Sequence, residues 1–466
     1  MNETHQHKKV LGTRDMVLFS VSAILLLDTL AAGASIGVQS VFWWLFLGLI
    51  FFVPYALICS EMGTTYPEQG GIYAWVRDAF GGRWASRVTW AYWVNTAVWL
   101  PAIYVLFAGV FSQLFMPDMA FVMQIAIAIT LAWISVVINV ISLNIGKLVP
   151  NLGAVIKTLV FAAIIGGAFQ YAKVHGVANN FSIANLTPAW GEGLKYISVI
   201  IYGMLGFELV SAGSEEMKNP QRDVPRAIFF SGLIIIVMYT LATIALLTAF
   251  PADEIDVVEG LVDSLYLFFG DTKVGAVIAM TLGVGALYTF FSNGVTWALG
   301  CNRAAAEAAL EGELPAVFGK EHPVHETPVG AAVLMGIVST VMLVFYGIVA
   351  NTNADLFWSL FAFSAVIFLL PYIGMVLAFA VMRRKDAARH RPFRVPGGPV
   401  VANAISLVCA VVLAIAIFFF VYTPEAGMQW PVFSGAAVVL LIGEGVIRYA
   451  ESQRRERPTP QTGAVD

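Results

Sequence analysis

Charged residues are scarce in this sequence, at 12% of its 466 positions, whereas hydrophobic residues make up 59%. A soluble domain carries about a quarter charged residues, so a chain with so few is poorly suited to a water-soluble fold of this size. The excess of apolar residues suits a bilayer core about 30 Å thick, which a helix crosses with about 20 apolar residues. The composition therefore predicts a protein embedded in a lipid bilayer, with no nucleic-acid partner.

Cysteine and histidine are also rare, with three and six residues. Cys59, Cys301 and Cys409 lie far apart, in or beside apolar segments, which gives neither a disulfide framework nor a metal-ligand spacing. His322 and His325 are three residues apart, but no neighbouring Cys or carboxylate pattern completes a metal site. We predict neither a metal nor a cofactor.

Long apolar runs follow one another with short polar breaks between them. The runs are continuously apolar rather than alternating, which predicts helices and not a barrel, because lipid requires every backbone polar group to be paired within the protein. We predict an all-α membrane protein with twelve transmembrane helices. They lie near residues 15–36, 40–62, 85–115, 119–143, 149–171, 194–217, 226–250, 274–302, 328–350, 355–382, 400–422 and 428–450.

The lysines and arginines fall mainly on one side of this topology. With the N-terminus in the cytoplasm, 22 of the 26 lie in cytoplasmic loops and tails, three lie on the opposite side, and Lys157 lies inside a span. This bias follows the positive-inside rule. The polar residues 1–14 contain no apolar signal-peptide core. We predict a multi-pass protein of a bacterial-type inner membrane with cytoplasmic tails at 1–14 and 451–466.

Two of the predicted spans contain small residues that are expected to interrupt them. The first has Asp28 followed by Ala31, Ala32, Gly33, Ala34 and Ser35, and the sixth has Gly203 and Gly206 before Glu208. Breaks five spans apart indicate two inverted repeats, about 15–171 and 194–382, with two additional helices in 383–450. Broken helices expose backbone N–H and C=O groups that need a ligand. Alternatively, the small residues only permit close helix packing.

Several loop motifs resemble the amino acid–polyamine–organocation (APC) superfamily of transporters, and its glutamate/GABA antiporter branch most. The superfamily motifs are Pro67–Tyr73, Gly206–Glu208, Asn219–Ala227, Thr327–Pro328 and Val366–Tyr372. The resemblance to the branch rests on Phe52–Met62, on Gly70–Val76, and on Trp297, Gly300 and Arg303. The resemblance extends over about residues 14–382. It implies a LeuT-type fold with a five-plus-five inverted repeat and secondary transport by alternating access, coupled to a proton or to a counter-substrate. The Gly-Ser-Gly of the family's first helix is replaced here by the Asp28 to Ser35 stretch.

Asp28 and Glu208 lie beside the predicted breaks inside spans, where a charge costs at least about 2.5–3.5 kcal/mol and is functional by default. Asp28 is expected to pair with the ammonium group of the substrate, or alternatively to cap the second half of the broken first helix. Glu208 follows the sixth-helix break. The resemblance implies a protonation and gating role for it, and the alternative is a structural hydrogen bond.

The remaining candidate residues are one lysine, four aromatic residues and the backbone at the breaks. The resemblance implies that the Lys157 ammonium takes the place of sodium, which predicts sodium-independent transport, and the alternatives are a static cation or snorkelling. Tyr92, Tyr202 and Trp297 match aromatic gates of the arginine/agmatine antiporter, and Trp75 is a candidate inner gate; the alternative is ordinary packing. The backbone of Ala31–Ser35 and of Gly203–Gly206 is expected to bind the polar ends of the substrate.

We therefore predict an amino acid permease that moves amino acids across the membrane. A polyamine or amine carrier is the nearest alternative, because two intramembrane carboxylates, Asp28 and Glu208, suit a diamine. An integral-membrane enzyme needs clustered His, Asp or Ser at the membrane edge, and a channel needs a repeated filter motif. The sequence shows paired breaks instead, so we predict no enzyme activity.

Overall fold

A computed structural model describes residues 11–68, 70–141, 143–188, 194–255, 260–270, 272–350, 353–423 and 427–456. Most of residues 1–14 and 451–466, the predicted tails, lies outside these ranges. Within them the protein is almost entirely helical, apart from a small hairpin of β1 (Tyr422–Thr423) and β2 (Gly427–Met428).

The first nine α-helices cover the N-terminal part of the chain. They are α1 Thr13–Ile24, α2 Leu27–Ala34, α3 Gln39–Leu47, α4 Val53–Thr65, α5 Ile72–Phe80, α6 Gly82–Phe115, α7 Phe121–Ile141, α8 Leu143–His175 and α9 Ile183–Leu186. A π-helical turn, Gly48–Phe52, joins α3 to α4 without a break, so these two helices form one span.

The remaining eight α-helices follow the short segment after α9. They are α10 Leu194–Gly203, α11 Pro220–Ala249, α12 Gly260–Phe269, α13 Lys273–Leu310, α14 Val329–Val349, α15 Asn353–Lys385, α16 Gly398–Val421 and α17 Trp430–Glu456. Two 3-10 segments, Phe207–Glu216 and Ala252–Glu254, continue α10 and follow α11.

The helices account for the predicted spans in order. Among the described residues nine continuous helices are long and apolar enough to cross a membrane, and α1 with α2 forms a tenth span bent by 49°. The shorter apolar stretches Ile197–Ser211 and Val329–Phe345 lie where the sixth and ninth spans are predicted. The all-α membrane fold predicted from hydropathy is confirmed. Helices α5, α9 and α12 are short elements between the spans.

The broken first span lies at the centre of the bundle. Helix α1 packs against α8, α11 and α13, while α2 packs against α10 and α11. Helix α6 packs along α13 and α15, which closes the bundle around this centre. The side chains of α8, α11 and α13 are therefore the ones that reach the break between α1 and α2.

A buried ion-pair cluster closes one end of the bundle. Glu61, near the end of α4, accepts bidentate hydrogen bonds from Arg383 of α15 at 2.8 and 2.5 Å and a third from Arg391 at 3.0 Å. The backbone N–H of Val395 also donates to it, at 2.7 Å. Each partner satisfies the others, which is the condition under which buried charges are tolerated. This end is the one predicted to face the cytoplasm.

Candidate functional site

The break in the first span lies earlier than the small residues predict. Leu25 and Leu26 have extended backbone and separate α1 from α2. Ala31, Ala32, Gly33 and Ala34 are helical and Ser35 only ends α2, so the prediction that this stretch forms the break is wrong, while its role in binding the substrate stays a prediction. The small residues serve packing instead: a Cβ on Gly33 would lie 3.1–3.4 Å from the Trp44 indole.

Side chains from three helices hold the carbonyl groups that the break releases. The Lys157 ammonium of α8 donates to Ser22 O at 2.7 Å, and the Trp297 indole N–H of α13 donates to Ala23 O at 3.0 Å. The Tyr239 hydroxyl of α11 donates to Ile24 O at 2.7 Å and accepts from the N–H of Leu26 at 2.7 Å.

A further amide of α13 reaches the same carbonyl groups. With the nitrogen of its amide turned toward them, Asn293 donates to Ser22 O at 2.8 Å and to Ala23 O at 3.2 Å. Buried backbone polar groups need such partners. The tertiary contacts therefore stabilise an extended conformation at Leu25 and Leu26, although leucine is a strong helix former.

The second break follows α10 and is marked by glycine, as predicted. Gly203 ends α10, and a Cβ there would lie 2.3 Å from Thr29 Cγ2, so glycine lets α10 and α2 approach closely. Gly206 has φ +135°, which a residue with a side chain rarely adopts. The Tyr55 hydroxyl accepts from the backbone N–H groups of Gly206 and Phe207 at 3.0 and 3.1 Å. The two breaks are thus adjacent in space.

Glu208 lies just past the second break and is held by three tyrosines. Its carboxylate accepts from Tyr55 at 2.5 Å, from Tyr92 at 2.7 Å and from Tyr372 at 2.7 Å. The side chain is 2% exposed. Three hydroxyl donors from α4, α6 and α15 compensate for its burial, and they link three helices to the sixth-span break.

Asp28 occupies the first turn of α2, directly after the first break, and is 3% exposed. The backbone N–H groups of Asp28 and Thr29 lie within interaction range of its carboxylate. Its Oδ1 has no hydrogen-bond partner among the described residues. Asp28 therefore combines a place in the first turn of α2 with an unsatisfied carboxylate oxygen, and the two alternatives for this residue do not exclude each other.

Asp28 is one of the residues that line a cavity of about 220 Å³. This volume is below the roughly 300–1,000 Å³ that is typical of pockets for drug-sized ligands. The described lining residues include three carboxylates but no Lys, Arg or His. They are Leu27, Asp28, Leu30, Ala31, Leu106, Ile164, Leu246, Phe250, Glu254, Ile255, Gly260, Leu261, Asp263, Ser264, Leu267 and Phe290.

The predicted aromatic gates lie beside this cavity rather than in its described wall. Tyr202 packs on Phe361 and Phe368, with ring centroids 4.9 and 4.8 Å apart, and Trp297 packs on Phe368 at 5.2 Å. Tyr92 lies 6.3 Å from Trp297 and turns its hydroxyl to Glu208. The rings pack on one another, which is compatible with both alternatives, so their role as gates stays a prediction.

The contacts of Trp75 lie away from both breaks. It is fully buried in α5, and its indole N–H donates to Tyr66 O at 3.1 Å. The Tyr66 hydroxyl in turn donates to Asp386 at 3.2 Å, so Trp75 lies at the end of the bundle that carries the Glu61 cluster. Its role as an inner gate stays a prediction.

Sequence reasoning missed three residues that bind the breaks: Tyr55, Tyr239 and Asn293. A signal exists for Asn293, because Asn293, Thr296 and Trp297 recur at helical spacing on one face of an apolar helix. Tyr239 lies in a long, mainly apolar run of α11 together with Thr240 and Thr243, and Tyr55 follows Pro54 in an apolar run of α4. Neither position by itself distinguishes a break-binding tyrosine from a packed one.

Comparison with known proteins gives a family and two informative relatives. The family model described as amino acid permease matches residues 11–443. A probable agmatine/putrescine antiporter of Lactococcus lactis subsp. lactis is 32% identical over 438 residues, which cover 93% of each chain. A branched-chain amino acid permease of Bacillus subtilis is 24% identical over 429 residues, covering 86% of this chain and 87% of the relative.

A solved structure matches the fold over nearly the whole chain. A mutant of the manganese transporter of Eremococcus coleocola superposes with a TM-score of 0.58, covering 98% of this chain and 99% of that chain. The identity is only 12%, so this likeness concerns the fold alone. It agrees with the LeuT-type fold that the sequence motifs imply.

Proposed function

This chain belongs to the amino acid permease family, and on that premise we propose that it carries small cationic amines that lack a carboxylate, by alternating access. Its relatives are transporters and antiporters, so the protein is a multi-pass membrane transporter and not an enzyme. The substrate class, the coupling and the orientation in the membrane are parts of this proposal.

The unpartnered oxygen of Asp28 carries the proposal. The N-terminus of a half-helix has free N–H groups and a positive dipole end, which in broken-helix transporters receive the anionic group of a substrate. Here a carboxylate of the protein already occupies the first turn of α2. A substrate carboxylate would be repelled from this place, whereas an ammonium group would supply the donor that Asp28 Oδ1 lacks.

The relative from Lactococcus lactis, a probable agmatine/putrescine antiporter by name, supports the same class of substrate. Each of these amines is an amino acid, arginine or ornithine, whose α-carboxylate has been replaced by hydrogen. A cavity with three carboxylates and no described cationic side chain in its wall is suited to such a solute.

For coupling, we propose sodium-independent exchange or proton-linked transport. The Lys157 ammonium is 1% exposed and occupies Ser22 O, a carbonyl group that the first break releases and that a cation would otherwise coordinate. Glu208, in its cage of tyrosines, is the proposed gating carboxylate. We further propose that the protein lies in a bacterial cytoplasmic membrane. Both termini would then lie in the cytoplasm and the Asp28 cavity on the outer side, in accord with the distribution of Lys and Arg.

Amino acids are the second candidate. The family description and the branched-chain amino acid permease among the relatives favour them. For this candidate Asp28 binds the α-ammonium group, and the α-carboxylate must find a donor elsewhere in the site.

Counterflow in proteoliposomes distinguishes the two candidates when the solutes are compared in matched pairs. The pairs are agmatine with arginine, putrescine with ornithine and cadaverine with lysine, which differ only in the α-carboxylate. We expect each amine to be exchanged at an at least tenfold lower half-saturating concentration than its amino acid. The reverse order would overturn the amine proposal and favour the amino acid candidate.

The role of Asp28 is tested by Asp28→Asn, which keeps the shape and removes the charge. A hydrogen bond to a charged group contributes about 1.5–3 kcal/mol, so putrescine affinity should fall roughly ten- to a hundredfold. The melting temperature of the purified variant should change little, because an amide oxygen still caps α2. A variant that keeps the full putrescine-induced shift in melting would exclude ammonium binding at this residue.

A further inference from the structure

A groove on the outside of the helix bundle lies between α6, α15 and α17 and has a volume of about 860 Å³. The described side chains that line it are apolar except for Arg87 and Glu444. We propose that this groove binds an anionic phospholipid of the cytoplasmic leaflet, with one acyl chain in the apolar part and the phosphate at the arginines. The inference goes beyond the proposed function and does not depend on the substrate.

The groove has the length of one leaflet. On α17 its lining extends from Ala437 to Ile447, which is about 15 Å of helix, or half of a hydrocarbon core about 30 Å thick. Trp90 of α6 forms a close contact with α17: its indole N–H donates to Val439 O at 3.0 Å, and a Cβ on Gly443 would lie 2.3 Å from its Cδ1. This contact forms one side of the groove, and α15 forms the other.

One end of the groove carries more positive than negative charge. Arg83, Arg87 and Arg448 converge on Glu444, with N–O distances of 3.0, 3.0 and 3.4 Å. Glu451 lies 3.6 Å from Arg83. Three guanidinium groups and two carboxylates leave an excess of one positive charge. Guanidinium groups bind phosphate oxygens in pairs, so this end is suited to a phosphate monoanion.

This charged end lies where lipid headgroups are expected. The Trp84 side chain is 57% exposed, and the Arg87 guanidinium lies 4.9 Å from its ring centroid. Exposed tryptophans are typical of the headgroup level of a membrane. Lys385 at the end of α15 donates to Asp78 O in α5 at 2.7 Å, which places this end with the Glu61 cluster, on the side predicted to be cytoplasmic. Basic pockets between helices on that side bind anionic headgroups.

The apolar part of the groove lies next to the helices that hold Glu208. Ala91 and Pro371 line it, and the residues that follow them, Tyr92 and Tyr372, each donate to the Glu208 carboxylate at 2.7 Å. An acyl chain in the groove therefore contacts α6, α15 and α17 together. Because these three helices form the groove only in the folded protein, lipid binding should raise the melting temperature.

The test titrates the purified full-length protein, freed of co-purified lipid, with phosphatidylglycerol and with phosphatidylcholine of the same acyl chains. The charge variant is Arg83→Gln with Arg448→Gln, which keeps the pair of Arg87 with Glu444 and changes the excess charge from one positive to one negative. Its matched control is Arg222→Gln, an exposed arginine on the predicted cytoplasmic side and outside the groove.

The acyl-chain part is tested by Ala437→Trp, which fills the apolar part of the groove. Its matched control is Leu407→Trp on α16, at a side chain that is 62% exposed and outside the groove. We expect Ala437→Trp to weaken the rise in melting temperature with both lipids alike. Leu407→Trp should respond to both lipids as wild type does.

In wild type, phosphatidylglycerol should reach its half-maximal effect at a roughly five- to thirtyfold lower concentration than phosphatidylcholine, at about fivefold for each of two arginines. The charge variant should reduce this preference to less than about twofold, and Arg222→Gln should keep it. Equal responses of wild type to the two lipids, or an equal loss in Arg222→Gln, would overturn the lipid site.

Two other occupants of the groove would also overturn it. Stabilisation by inorganic phosphate at the same concentrations would show an anion site without a lipid. An Ala437→Trp protein that keeps the lipid response but changes its oligomeric state in light scattering would assign the groove to a second copy of the chain. Each of these outcomes leaves the amine proposal intact, because none of them involves Asp28.

Discussion

The hydroxyl of Tyr239 tests whether tertiary hydrogen bonds hold the break in the first span. It donates to Ile24 O and accepts from the N–H of Leu26, both at 2.7 Å, so one oxygen connects the two sides of the break. Tyr239→Phe removes this oxygen and keeps the ring, which stacks on Trp44 with centroids 4.3 Å apart. The change therefore isolates the two hydrogen bonds from the packing.

The expected magnitude follows from what the substitution leaves unpaired. Each buried backbone group without a partner costs about 1–3 kcal/mol, so the two together cost about 2–6 kcal/mol. Regular helix formation cannot readily compensate, because Ser22 O, the normal partner of the Leu26 N–H, already accepts from Lys157. Against a total stability of about 5–15 kcal/mol, the loss is large.

The assay is the free energy of unfolding in mixed micelles, measured by titration with SDS. The matched control is Tyr288→Phe, because the half-buried Tyr288 hydroxyl donates a single long hydrogen bond of 3.4 Å to Val149 O. We expect less than about 1 kcal/mol of destabilisation for this control. A Tyr239→Phe protein within about 0.5 kcal/mol of wild type would refute the argument that this hydroxyl holds the break.

Two further outcomes are expected from the coupling residues. Because the Lys157 ammonium already occupies Ser22 O, exchange of putrescine in sodium and in choline buffers should agree within about twofold; a large stimulation by sodium would contradict this. Glu208→Gln places an NH2 donor among the hydroxyls of Tyr55, Tyr92 and Tyr372, so exchange should fall at least about tenfold while putrescine still shifts the melting temperature. If this variant exchanged putrescine as fast as wild type, Glu208 would have only a structural role.

Hydropathy and charge bias predict the membrane fold from sequence, because both act locally along the chain. Each apolar run must be a helix in lipid regardless of its neighbours. The second break can also be predicted from the sequence, because the positive φ of Gly206 requires a residue without a side chain.

The position of the first break cannot be predicted from the sequence in the same way. It lies at Leu25 and Leu26, in a run of three leucines that favours helix by every local measure. The partners that stabilise its extended backbone come from about 130 to 270 residues further along the chain, at Lys157, Tyr239 and Trp297. The glycine-containing stretch after it resembles a break in sequence, but Gly33 serves contact with Trp44.

The hydrogen bonds already made at the two breaks limit the kind of ligand that the site can accept. The carbonyl groups of Ser22, Ala23 and Ile24 are occupied by donors of the protein, and the N–H groups of Gly206 and Phe207 are occupied by Tyr55. These backbone groups are therefore already paired before a substrate arrives.

The described polar atoms without a hydrogen-bond partner at this centre include Asp28 Oδ1, which can only accept, and the Thr29 hydroxyl next to it. In the proposed function, an ammonium group of the substrate would supply the donor that Asp28 Oδ1 lacks. At the other end of the bundle, Glu61 joins α4 to Arg383 of α15. Under alternating access, a cation would then reach Asp28 while the Glu61 ion pair still holds α4 and α15 together.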